Sequence, residues 1–214
     1  FAAIAERNAG RSDYAERRLR GFIDSIPAAR VGEFATTRMH RAQALLEAGR
    51  PRDAALLFDS IAQQNGPVVS PHSIARWRAW MGVLAGDALA AAGDTLALVR
   101  RIREVEAWGV QSAYGRDRRL HHHLRGLQLR ARGDLEGARR AFEAARWSPT
   151  GSYVRSSLAL ADALVALERP QEALDVLRQA SRGTLESVSL YGTRLELHQR
   201  FVLAFTAAGL ADSA

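Results

Sequence analysis

"LQLRARGDLEGARRAFEAA" (127–145) contains an apolar helical stretch, a stop, a start and a second amphipathic helix. Gly133 is free to adopt φ > 0 and close the first helix. Asp134 follows as a capping residue for the orphan N–H groups of the second. The same phrase recurs as "ALLEAGRPRDAALLFDSIA" (44–62), "ALAAAGDTLALVRRIREVE" (88–106) and "ALVALERPQEALDVLRQAS" (163–181). "IAERNAGRSDYAERRLRGFI" (4–23) fits as an earlier copy, and "FVLAFTAAGLADSA" (201–214) as a later one cut off as its second helix begins. The break is Gly-Asp, Gly-Arg-Pro or Glu-Arg-Pro, and Pro51 and Pro170 suit the first helical position, where no N–H is needed. Break positions 10, 49, 93, 133, 168 and 209 are spaced by 39, 44, 40, 35 and 41 residues. Periods in this range, built from two helices, predict an all-α fold: an α-solenoid of antiparallel helix-turn-helix repeats. The approximate repeats are 1–27, 30–64, 71–108, 112–147, 152–182 and a truncated 186–214, in a single array over 1–214.

Composition agrees. The chain has 214 residues, 47% of them hydrophobic, dominated by alanine and leucine with few β-branched residues. The lack of cysteine excludes disulfides, thiolate zinc sites and cysteine nucleophiles and fits a reducing, cytoplasmic setting. No run approaches a transmembrane helix, so no membrane insertion is expected. The net charge is +7, and all 30 basic residues are arginine. That bias reads as high genomic GC content in preference to selection for phosphate binding. The start at Phe1 and the half-repeat at "LADSA" suggest a piece of a larger chain.

The repeat resembles the tetratricopeptide repeat. The best copy spans roughly 119–150, with Gly126 at the family's small residue, Gly133-Asp134 in the turn, Ala138, Phe142 and Ala145 as the small–aromatic–small set, and Pro149 one residue early for the closing proline. The copy at 154–181 keeps Leu160, Ala161, Leu164, Ala173, Leu177 and Ala180, with Glu168 at the turn. The copy at 35–62 keeps Ala42, Leu45, Gly49, Ala54 and Phe58, with Ile61 as its last member. The copy at 79–105 keeps Gly86, Leu89 and Gly93, with Leu98 where a small residue is usual. Small residues matter because antiparallel helices approach closely only where Gly or Ala faces the partner backbone.

The resemblance implies a right-handed superhelix whose first helices line a concave groove that binds another protein or another segment of the same chain. In this register the groove holds Gln43, Trp80, Asp87, His123, Leu127, Arg130, Arg155, Asp162 and Gln199. The basic and asparagine set with which some family members grip C-terminal carboxylates is not evident, and Asp87 and Asp162 oppose it. The mixed groove suggests an apolar or amphipathic peptide, or a helix with some basic residues. Extended repeats of this kind also resemble sensor arms of bacterial transcription regulators and signalling kinases or ATPases.

Other features yield to plainer readings. His121, His122 and His123 diverge by about 100° each on a helix, so they cannot share a metal, and no i+3 or i+4 ligand follows. His123 is expected in the groove, His122 on the packing side and His121 at the periphery. Arg132-Gly133-Asp134 is a helix stop and start, although its letters match an adhesion tripeptide. Nine arginines against four acids lie between 116 and 146. Glu136–Arg140 and Arg139–Glu143 account for part of that excess as i, i+4 pairs. Arg116, Arg118 and Arg119 remain as a basic rim that could meet an acidic peptide or, as an alternative, nucleic acid. Trp80 is a candidate peptide anchor, while Trp108 and Trp147 are expected to staple neighbouring repeats. No phosphate loop, His-Glu-x-x-His or nucleophile elbow occurs, so a non-catalytic role with no metal or cofactor is expected.

Overall fold

The computed structural model describes residues 2–64, 70–147, 153–182 and 191–210. Six turns repeat one geometry. Gly10, Gly49, Gly93, Gly133 and Gly209 have φ between 70° and 81°, and Glu168 has φ 59°. At each, the next residue's N–H reaches five residues back: Arg11 to Glu6, Arg50 to Leu45, Asp94 to Leu89, Asp134 to Leu129, Arg169 to Leu164 and Leu210 to Phe205. This is the Schellman closure of a helix, which satisfies carbonyls the helix leaves open. Glu168 is the one non-glycine in the set, so the fold requires a left-handed residue there even where the side chain opposes it.

The described residues form eleven α-helices. They are α1 (Ala2–Asn8), α2 (Ser12–Asp24), α3 (Ala35–Glu47), α4 (Pro51–Gln63), α5 (Pro71–Ala91), α6 (Thr95–Gln111), α7 (Leu120–Ala131), α8 (Leu135–Ala145), α9 (Val154–Ala166), α10 (Pro170–Ser181) and α11 (Arg194–Ala207). Short 3₁₀ segments, Ala28–Phe34 and Asp117–Arg119, precede α3 and α7. Starts follow local chemistry. The Asp94 and Asp134 carboxylates accept from the N–H groups of Ala97 and Gly137 at 2.9 and 2.8 Å. Pro51 and Pro170 open α4 and α10, each after an arginine that pairs with an acid three residues on, Asp53 or Glu172. Thr193 and Glu196 close a reciprocal capping box at α11. Pro149 and the last four residues of the expected truncated repeat lie outside the described residues.

The chain forms two compact units that divide after Arg118, and within each the helices pack on their neighbours in chain order. In the first, α1 to α6 pack in sequence. Arg7 of α1 is almost fully buried and donates to Glu47 of α3 at 2.5 Å and to His40 Nδ1 at 3.0 Å. Arg101 of α6 bridges to Asp59 of α4 at 2.8 Å. Burial nevertheless raises the Asp59 carboxyl above its ordinary pKa, Arg101 opposing. A Cβ on Gly82 would lie 2.7 Å from Val105, so α5 and α6 meet at Gly82, with Leu98 buried beside them.

In the second unit α7 packs on α8, α8 on α9, α9 on α10 and α10 on α11. First helices also touch one another, α7 with α9 and α9 with α11. A Cβ on Gly126 would stand 2.5 Å from the Phe142 ring. The glycine is what lets α8 lie this close to α7, and Ala138, Phe142 and Ala145 are all buried there.

Candidate functional site

The expected groove residues of the first unit are interior. Gln43, Trp80 and Asp87 are all buried. Trp80 is 7% exposed, and its indole N–H donates to the Asp117 carboxylate at 2.9 Å. Ser112 donates to the same carboxylate at 2.6 Å. A Cβ on Gly109 would sit 2.6 Å from the Asp117 carbonyl oxygen, so glycine in α6 admits this segment. Arg116 covers the Trp80 ring, 4.8 Å from its centroid, and lies 3.8 Å from Asp117. Trp80 is thus a packing residue, not an exposed anchor, because a buried carboxylate claims its only polar atom.

The basic rim divides in the same way. Arg116 is held on Trp80. Arg119 donates to the carbonyl of Arg146 at 3.1 Å, just beyond α8, and lies over the half-exposed Trp147. A cation there complements the negative end of the α8 dipole. Trp147 accordingly pairs with Arg119, while Trp108 lies under Arg78, 4.6 Å from its ring centroid. Arg118 and Arg119 are both exposed, while Arg116 is half-buried. Arg139 pairs with both Glu136 and Glu143, and Arg169 also reaches Glu136 at 3.5 Å. Much of the local arginine excess is therefore engaged within the protein.

The histidine triplet splits between environments. His123 is 1% exposed, 3.2 Å from Ser156 Oγ, with its ring against Phe142 and Tyr153. His121, expected at the periphery, is buried, and His122, expected on the packing side, is half-buried. Because α7 contacts both α8 and α9, its buried arc is wider than one stripe, and it takes in Leu127 as well.

The remaining expected groove residues do come together. Arg130 of α7 lies 3.6 Å from Asp162 of α9, and Arg200 of α11 contacts the other oxygen of Asp162 at 3.3 Å. Arg155 of α9 pairs with Glu196 of α11 at 3.4 Å. Beside this ladder, α9 and α11 enclose an open cleft of about 830 Å³. Ala161, Val165, Leu195, Val202 and Leu203 form its apolar lining, and Asp162, Gln199, Arg200 and His198 its polar part. Val202 and Leu203 are 49% and 59% exposed. The sequence reading names Arg130, Arg155, Asp162 and Gln199 but misses Arg200 and the apolar floor. The i, i+7, i+8 spacing of Leu195, Val202 and Leu203 along one helical face carries that signal.

Among the described residues no group of three or more His, Asp or Glu side chains is placed to hold a metal ion, and no helix is long and apolar enough to cross a membrane. No protein-family model matches the chain, and no curated protein is significantly similar to it.

Proposed function

We propose that this protein is a non-catalytic interaction scaffold, a tetratricopeptide-like α-solenoid that binds a segment of another protein, or another segment of its own chain, along α7, α9 and α11. One observation carries the reading. Residues from three separate helices, Arg130, Asp162 and Gln199, fall on one surface, and the last two line an open apolar cleft. An apolar floor with a few fixed polar groups is the anatomy of a peptide-binding surface. The six identical turns and the contacts between successive first helices support the solenoid. The same surface would serve a sensor arm. We hold nucleic-acid contact through Arg116, Arg118 and Arg119 as the alternative, and rank it second because Arg116 stacks on Trp80 and Arg119 is bonded to the end of α8.

Selection of peptides from a random library on the full chain tests this. Leu203→Glu, a change at an exposed residue, should abolish binding of the selected peptides. Leu56→Glu, at a residue 70% exposed on α4, should leave it intact. Binding that survives Leu203→Glu, or is lost with Leu56→Glu, overturns the assignment.

A further inference from the structure

We infer that a cleft framed by α4, α5 and α6 is a binding site for a small carboxylic acid of about benzoate size, held by its carboxylate on Arg78. The site lies wholly within the first unit and does not depend on the binding role proposed above.

The helices place one cation in this cleft without a counter-ion. Arg78 of α5 is half-buried, with its guanidinium 4.6 Å from the ring centroid of Trp108 on α6. Stacking on a ring covers one face of a guanidinium and leaves its in-plane N–H donors pointing outward. Among the described residues no carboxylate, carbonyl or hydroxyl accepts from them. The neighbouring Arg101 differs. It bonds to Asp59 at 2.8 Å and to Glu104 at 3.0 Å. Both nearby acids are thereby committed to Arg101, and neither pairs with Arg78. The four charges cancel in sum, so geometry and not an excess of charge singles out Arg78. A charge that has lost water on one side and gained no acceptor is costly. A ligand carboxylate removes that cost, because its two oxygens match the guanidinium fork in parallel bonds.

The rest of the cleft sets the body of the ligand. It is an open cleft of about 200 Å³. A cavity of about 150 Å³ accepts a benzene ring, so a single ring with one carboxylate fits, and a nucleotide does not. Gly82 adds no side chain to the lining, and Val105 and the half-buried Trp108 supply an apolar wall. A flat apolar body beside that wall and a carboxylate on Arg78 use both halves of the lining.

The test is an NMR titration of the isotope-labelled full chain, read at the Trp108 indole N–H, which the loss of one peak in Trp108→Phe assigns. Benzoate should give a saturable shift and bind about tenfold more tightly than benzamide, a neutral ligand of the same shape, a difference of about 1.4 kcal/mol. Acetate, which lacks the ring, should bind about tenfold more weakly than benzoate. Both comparisons use the unaltered chain, so neither depends on a variant folding. Arg78→Gln should remove the preference for benzoate over benzamide. Arg103→Gln, at an exposed residue of α6, should leave it intact. Equal binding of benzoate and benzamide, or equal effects of the two variants, overturns the inference. So does a shift that grows with ligand and never saturates, which would mark an adventitious ion only. Tighter binding of a glutamate-bearing peptide than of benzoate also overturns it, since the occupant would then be a protein side chain.

Discussion

Glu168 shows how a single residue can be read from spacing against its own chemistry. It takes a left-handed conformation that five glycines take elsewhere in the chain. A side chain in that region costs about 1 kcal/mol, so Glu168→Gly should raise the stability to urea by about that amount. Unchanged or lower stability would mean that this turn differs from the other five. His40 is a residue whose chemistry no pattern foretells. Burial first, and the nearby Arg7 cation second, lower its pKa from 6.5 to about 4. The unfolded histidine takes up a proton near pH 6.5 that the folded one refuses until about pH 4. Stability is therefore lost as the pH falls through that window. Urea midpoints followed between those pH values should decline less steeply in His40→Asn, which offers Arg7 an acceptor without titrating. An identical decline would show that His40 is not the group responsible. Trp80 was legible as a tryptophan on a first helix but not as an interior one. Its partner Asp117 lies 37 residues away, beyond any local periodicity.

At the scale of helices, the close approach at Gly126 is the contact that local pattern and structure share. Gly126→Ala places a methyl group against Phe142, whose ring has no flexible end to withdraw. Overpacking of this kind costs about 1–3 kcal/mol. Phe142→Leu alone leaves a gap, but combined with Gly126→Ala it should restore much of the loss, giving a coupling of about 1 kcal/mol in a double-mutant cycle. Additive effects would place the two helices farther apart than described. Register also explains what was missed at the site. Arg130 and Asp162 fall on the open side of their helices when counted from their turns. Arg200, counted from Gly209, falls where Leu124 and Ala159 stand, and both of those are buried. Pattern alone therefore assigns Arg200 to the interior. A long side chain can leave its stem in that position and carry its charge to the flank, which is how Arg200 reaches Asp162.

For the molecule as a whole, the chain was legible as consecutive helix pairs because each pair ends and restarts with the same few residues. Its division into two compact units after Arg118 was not, since no change in composition marks it. Nor does the count of thirty arginines say which charges are free. Arg7, Arg101, Arg119 and Arg139 are all held in internal contacts, leaving the ladder at α7, α9 and α11 as the charged feature beside an open apolar cleft. The central claim is that this surface receives a segment of protein. Amide hydrogen exchange of the full chain, with and without a saturating library-selected peptide, tests it most directly. The account predicts slowed exchange in α9 and α11 and unchanged exchange in α2. Protection confined to α8, α10 or the first unit, or none at saturation, would contradict it.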